Sequence, residues 1–353
     1  MKTHLVSGGC GFVGRNMIKR LYTTTHDRIV CIDDLSTGIA PEQWIDIPIT
    51  RQIKNVNLYG EEERLLFIKN DFIDVLRNLN RNPEWIFDTY GIAIERFSDV
   101  FHFAAIVGGR AMIDGDPIKV ALDLAIDAEF FHWVSRHKPE RVVYPSSSAA
   151  YPVSKQTELS AVQLHESDID FAHIGQPDMT YGWTKLTGEF LAKITAKHYG
   201  VPVVCIRPFS GYGEDQDYSY PIPAIAKRAV YRESPFEVWG TGYQGRDFVH
   251  IDDILDCTLL AMHHISDGSA INIGTGKLTT FREVIAVFCH IAGYTTPVKC
   301  LPDKPVGVFS RYCNPDHVKT TLNWKPEITL EEGLRCVYHA VSQRENINLK
   351  IGA

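Results

Sequence analysis

Over roughly the first 205 residues, short apolar runs alternate with amphipathic stretches. His4-Leu5-Val6, Arg28 to Ile32, Leu66-Phe67-Ile68, Val100-Phe101-His102-Phe103, Val142-Val143-Tyr144 and Val203 to Ile206 are mostly apolar without a polar residue at every second position. That pattern belongs to strands covered on both faces, as in a parallel sheet. Between them, Met17 to Leu21 and Leu186 to His198 read as helices; Leu186, Phe190, Leu191 and Ile194 share one face of the second. The alternation predicts an α/β fold, a doubly wound parallel sheet with right-handed crossovers. After Arg207-Pro208 the texture changes. Residues 211–245 are rich in Gly, Pro, Tyr and acids, which reads as a covering segment rather than sheet. Phe248 to Ile254 reads as a strand running into a capped helix, and a smaller mixed region continues to the end. Residues 34–65, with Pro41, Trp44 and Pro48, read as a long connection, a partly ordered excursion.

The first apolar run stops at a glycine-rich turn, Gly8-Gly9-Cys10-Gly11-Phe12-Val13-Gly14, and a helical stretch begins at once. Glycines at 8, 11 and 14 allow a tight turn, approach of the backbone to a pyrophosphate, and close packing of helix on strand. The helix N-terminus presents unpaired N–H groups and a positive dipole end to an anion. The second run ends in Asp33, at the distance where a Rossmann dinucleotide site places an acid on the adenosine ribose diol. A carboxylate accepts two hydroxyls there and repels a 2′-phosphate, so the expected cofactor is NAD rather than NADP.

A second constellation is Tyr181-Gly182-Trp183-Thr184-Lys185. Residues four apart share a helix face, so the ammonium can sit beside the phenol. A free phenol, with a pKa near ~10, is a weak base at neutral pH, and a neighbouring cation favours the phenolate. The pair can then exchange a proton with a hydroxyl. Ser146-Ser147-Ser148 follows a buried strand, which puts it at the mouth of such a sheet.

Bulk properties narrow the partners. A net charge of -7 argues against broad binding to nucleic acid or anionic membrane. No apolar run approaches the roughly eighteen residues of a transmembrane helix, and the N-terminus suits a strand better than a signal peptide. The eight cysteines are scattered without a Cys-x-x-Cys pair, and the fourteen histidines form no His-Glu-x-x-His motif. Neither a metal site nor a disulfide framework is expected, and a reducing, cytoplasmic setting is.

In this order the motifs resemble the extended short-chain dehydrogenase/reductase superfamily, and within it the NAD-dependent nucleotide-sugar epimerases and dehydratases. The resemblance runs from about residue 3 to about residue 340. It takes in the glycine turn, Asp33, Asp71-Phe72, His102-Phe103-Ala104-Ala105, the serine run and the Tyr181/Lys185 pair. Arg207 to Gly213 and Arg246 to Asp253 complete it. It implies an NAD-binding domain of residues 1–207 and about 246–272, and a nucleotide-sugar domain of about 208–245 and 273–345.

The resemblance also implies roles. Ser147 bonds the reacting sugar oxygen, Tyr181 moves its proton, and Lys185 binds the nicotinamide ribose. Gly8, Gly11, Phe12, Val13, Gly14, Asp33, Asp34, Ala104 and Ala105 line the cofactor. Asp71, with Phe72, contacts adenine or else serves as a turn or cap acid. Gly108, Gly109, Ser148, Ser210, Arg246 and Arg311 fall to the substrate. The two arginines are candidate clamps for its diphosphate, since a guanidinium fork matches phosphate geometry. Ser210 stands where the family usually has an Asn.

Ala104 to Gly109, Tyr151 to Glu158 and Glu237 to Arg246 look like the GDP-mannose 3,5-epimerases, which favours a GDP-sugar over a UDP-sugar. That family moves protons with a Cys/Lys pair. Here the Cys position is Ala149, and the corresponding loop, Glu214 to Tyr220, has no Lys. The acids of the 4,6-dehydratases and decarboxylases would fall at Ser148 and Ala149. The expected activity is therefore epimerisation at C4. The alternatives are a 3,5-epimerase with its acid–base groups relocated to the 214–220 loop, a 4-ketoreductase or dehydratase, and a non-catalytic NAD-binding scaffold. A homodimer is expected, with Phe130, Phe131 and Phe190 of the helices around 118–136 and 182–198 at its interface.

Overall fold

The apolar runs pair side by side in a computed structural model that describes residues 1–108 and 110–347. The chain opens with β1 (Thr3–Ser7), α1 (Phe12–Thr24), β2 (Arg28–Asp33), β3 (Ile49–Ile53), β4 (Val56–Tyr59) and β5 (Leu65–Lys69). Helices α2 (Phe72–Arg81) and α3 (Trp85–Tyr90) lead to β6 (Asp99–His102), and α4 (Arg110–Gly115), α5 (Pro117–Val120) and α6 (Asp123–His137) to β7 (Arg141–Pro145). Next come α7 (Met179–Tyr199), β8 (Val203–Pro208), β9 (Ser210–Tyr212), α8 (Pro221–Val230), β10 (Phe236–Trp239), β11 (Gly245–Arg246), β12 (Phe248–His250) and α9 (Ile251–His264). The last elements are β13 (Asp267–Ile273), β14 (Thr279–Thr280), α10 (Phe281–Ile291), β15 (Val298–Leu301), β16 (Ser310–Arg311), α11 (Asp316–Leu322) and α12 (Leu330–Arg344).

The main sheet runs β13-β8-β7-β6-β1-β2-β5-β4-β3, parallel from β13 to β5 and antiparallel in its last two strands. From β1 the chain adds β2 and β5 on one side, then returns to add β6 on the other, with Leu5 paired to both Val30 and Val100. This reversal opens a crevice at the C-terminal ends of β1 and β6, the place where such sheets bind ligands. Both faces are covered. Phe72, Phe130, Trp133 and Tyr144 pack on one side, and Met17, Ile18, Ile254 and Met262 on the other. A separate core of Tyr212, Ile225, Phe236, Phe288 and Val337 holds the C-terminal elements together. Among the described residues no helix is long and apolar enough to cross a membrane.

Three expectations change. Residues 34–65 are not a loose excursion: β3 and β4 form a hairpin that extends the sheet past β5, with Val56 opposite Ile68. Residues 211–245 contain the helix α8, whose Ile222, Ile225, Ala226 and Ala229 are buried in the C-terminal core. Phe130 and Phe131 are buried in the main core beside Trp133, so they are not interface residues, whereas Phe190 is half exposed.

Candidate active site

The crevice begins at Gly8, whose φ of +61° suits glycine, and whose missing Cβ would lie 2.5 Å from the Ala104 nitrogen and the Phe103 carbonyl. The glycine turn therefore lies directly against the segment that leaves β6. Helix α1 starts from Gly11 with no side-chain cap and no acid in its first turn, so its free amides can take an anion. Asp33 ends β2 with one carboxylate oxygen accepting the Cys10 N–H at 2.9 Å and the other the Leu35 N–H at 2.8 Å. Burial raises its pKa against the pull of those two amides. Asp34 is exposed and turns back to the Ser36 N–H.

Phe12 and Val13 are half-buried against the core around Met17 and Ile18, Ala104 against the opposite core around Phe72 and Phe130, and Ala105 is half-buried as well. Asp71 caps α2 by accepting the Asp74 N–H at 3.2 Å, and Phe72 is buried with its ring 5.5 Å from that of His102. The side chain at 71 is thus engaged as a cap, while that at 72 belongs to the core. The Gly8 turn, the uncapped helix and Asp33 together fit a dinucleotide.

Across the crevice, α7 packs on the turn after β7. A Cβ on Gly182 would sit 2.4 Å from the Ala149 carbonyl, and the Asp178 N–H donates to that same oxygen at 2.9 Å. This contact brings Tyr181 beside the Ser147–Ala149 turn, where Ser147 Oγ accepts the Ala149 N–H at 3.1 Å. Ser148 is buried. One helical turn on, Lys185 is buried with its ammonium 5.8 Å from the Tyr181 ring and 5.4 Å from that of Tyr144. Burial works against that charge, but Tyr181, Asp127 and Asp123 outweigh it and hold the ammonium above its ordinary pKa. Behind it, Asp127 accepts from Tyr144 Oη at 2.6 Å and bonds His102 Nε2 at 3.1 Å; His102 Nδ1 bonds Ser7 Oγ at 2.8 Å.

The third wall is cationic. Arg246 and Arg311 are register partners on β11 and β16. Arg311 donates to Gln156 Oε1 at 2.6 Å and to Asp178 at 2.8 Å, and Arg110 reaches the same Asp178 at 2.9 Å. Arg246 bonds only carbonyls, those of Gly245 and Val306, and burial beside Arg311 presses its pKa down to about 9. A half-buried guanidinium that makes no ion pair among the described residues favours an anionic ligand. Ser210 and Gly108 are half-buried, and Gly109 lies outside the described residues. Arg110, Asp178 and Gln156 carry no local signal in the sequence; only the fold joins them to Arg311.

The first two acids of the 214–220 loop are engaged by other residues, while Tyr220 lies near enough to the Tyr181 phenol for the two to interact. Burial would raise the Asp215 carboxyl, but Arg15, Asn16 and Lys19 of α1 hold it below its ordinary range. Glu214 is likewise lowered, chiefly by His250.

A parallel sheet with a dinucleotide crevice and a Tyr/Lys pair on its far wall defines an NAD-dependent enzyme of the short-chain dehydrogenase/reductase type. The model of the NAD dependent epimerase/dehydratase family matches residues 4–274, and the chain belongs to that family, with NAD as its cofactor. It is 25% identical over 337 residues to a putative UDP-glucose 4-epimerase of Methanocaldococcus jannaschii, covering 94% of this chain and 96% of that protein. It is 28% identical over 255 residues to the GDP-mannose 3,5-epimerase of Arabidopsis thaliana, covering 71% and 66%. Among solved structures, the UDP-glucose 4-epimerase of Thermotoga maritima with UDP-glucose superposes with a TM-score of 0.78 at 23% identity, covering 97% of this chain and 99% of that one.

Proposed function

We propose that this enzyme is a nucleotide-sugar 4-epimerase. The observation that carries the reading is the pairing of an intact Tyr181/Lys185/Ser147 set with the lack, at the matching positions, of the Cys and Lys that would move protons at carbon. Position 149 is Ala, the 214–220 loop has no Lys, and the Asp215 and Glu214 carboxyls are held below their ordinary pKa, which makes them weaker bases. The likeness to a putative UDP-glucose 4-epimerase over nearly the whole chain supports it.

Bound NAD supplies the hydride acceptor and donor for C4. Ser147 Oγ hydrogen-bonds the C4 oxygen, and Tyr181 Oη takes the hydroxyl proton and later returns it. Lys185 holds the cofactor ribose and keeps positive charge beside the phenol. The first turn of α1 receives the cofactor phosphates and Asp33 the adenosine ribose diol. Arg246 and Arg311, with Arg110, receive the sugar nucleotide's diphosphate. Residues of about 208–245 and 273–345 form the substrate side. The nucleotide is argued from diphosphate chemistry, so UDP- and GDP-sugars both enter the assay; the resemblance at 104–109 and 237–246 leans to GDP.

Hydride that leaves C4 and returns to it never meets solvent, whereas C3 or C5 epimerisation passes through an enolate reprotonated from water. Turnover of the active sugar nucleotide in D₂O should therefore give product without deuterium at any ring carbon. One or two ring deuteriums by mass spectrometry would restore the 3,5-epimerase reading.

Two smaller expectations follow from the same assignment. Asp33→Ala should weaken NAD by about tenfold or more in calorimetry, since hydrogen bonds to a charged acceptor are worth about 1.5–3 kcal/mol each; unchanged NAD affinity would remove Asp33 from the cofactor. A homodimer should form through α6 and α7, where Leu124, Trp183 and Phe190 are exposed on neighbouring helices. Light scattering at micromolar protein should give twice the chain mass, and a monomer mass would exclude this interface. All eight thiols are free, which supports a cytoplasmic enzyme.

A further inference from the structure

Asp123, at the start of α6, is 1% exposed, and its two carboxylate oxygens are treated unequally. Oδ1 accepts the Ile106 N–H at 2.5 Å, whereas Oδ2 is buried with no hydrogen-bond partner. Asp127, one turn on, bonds both Tyr144 and His102. A bare carboxylate oxygen in the interior carries a desolvation penalty that a purely structural acid would be expected to avoid. The buried Lys185 ammonium lies in the same compartment, 5.4 Å from the ring of Tyr144, whose hydroxyl is held by Asp127; it makes no ion pair within 4 Å among the described residues, and its charge acts on Asp123 through space. The titratable groups around this compartment are Lys185 and Tyr181 of α7, Asp127 of α6, His102 of β6 and Tyr144 of β7.

We propose that Asp123 is a positioning residue for Lys185: its free oxygen, when ionised, aims the ammonium at the ribose hydroxyls of NAD, so that the hold on the cofactor depends on the Asp123 charge. The inference rests on the assignment of Lys185 to the cofactor, and is independent of which sugar carbon reacts. Burial pushes the Asp123 carboxyl up to about 6, with Lys185 and the Ile106 N–H opposing and Asp127 adding to the rise. The charge is therefore present at neutral pH and lost under mild acid.

The test is the affinity of the full chain for NAD, by calorimetry, between pH ~5 and ~8. The wild type should bind about tenfold more weakly at the acid end, the size of effect that one lost charge contact produces. Asp123→Asn keeps an acceptor for Ile106 and drops the charge. It should bind weakly at every pH, without the ionisation near 6. Asp33, whose carboxyl is also raised by burial, is present in both proteins, so the difference between the two curves isolates Asp123.

A stability readout accompanies it. Because the folded carboxyl has the higher pKa, its contribution is fully present below the unfolded value, near ~3.9, and is lost as pH rises through about 6. Asp123→Asn should therefore melt a few degrees above the wild type at pH ~8, with the gain fading toward pH ~5. Parallel NAD curves for the two proteins, a wild-type curve with no ionisation near 6, or a variant that melts lower at every pH would each overturn the proposal. Should Asp123→Asn fail to fold, Asp123→Ser removes the same charge and serves in the same comparison.

Discussion

Tyr181→Phe is expected to lower turnover by about 10²–10⁴, the usual contribution of a positioned acid–base group, while NAD content and melting stay near wild type. The substitution removes one oxygen from a residue held in place by its backbone and its ring. Helix α7 stays fixed through the contact of Gly182 with the Ala149 carbonyl, and Lys185 keeps its place over the ring. What disappears is the group that carries the C4 hydroxyl proton. Ser147→Ala should cost less, because it takes away a hydrogen bond rather than the proton carrier. The measurement is kcat on the sugar nucleotide that a UDP- and GDP-sugar panel identifies, with bound NAD quantified in the same preparation. Near-normal turnover in Tyr181→Phe would remove the phenol from the chemistry and favour a scaffold that merely binds the dinucleotide.

The parts of this site that are legible in the sequence are those whose chemistry is local. The glycine turn, Asp33 at a strand end and a Tyr four residues from a Lys each sit within one element, so spacing carries them. The parallel strands are legible because cover on both faces leaves them continuously apolar. Strand β3 is not: Ile49-Thr50-Arg51-Gln52-Ile53 lies at the sheet edge, largely exposed, and has no such pattern to reveal it. Phe130 and Phe131 look alike in sequence whether a helix turns them to its own core or to a second chain. Asp178 joins Arg110 and Arg311 across 68 and 133 residues of sequence, which no local motif encodes. Asp123 stands out only through a missing partner, a property of packing.

The largest stability effect should come from the buried pair beneath the serine turn. Arg207 of β8 donates to both Glu189 oxygens, at 2.7 and 2.6 Å, and to Tyr151 Oη at 2.9 Å. Ser146 Oγ donates to the same Glu189, and Tyr151 Oη donates to Asn272 at 2.7 Å. Neither charged side chain reaches solvent to any useful extent. Removing one partner strands the other charge in the core, so Glu189→Leu should destabilise the fold by about 3–5 kcal/mol, and Arg207→Met by a similar amount. The double variant strands neither charge. It should therefore cost clearly less than the sum of the two single changes, with the coupling read from denaturant midpoints. Because Ser146 anchors the turn that presents Ser147, the double variant should also lose turnover even where it regains stability. Single variants that cost under about 1 kcal/mol would mean that water or a rearranged side chain screens the pair, and the turn would then owe its position to the Gly182 contact instead.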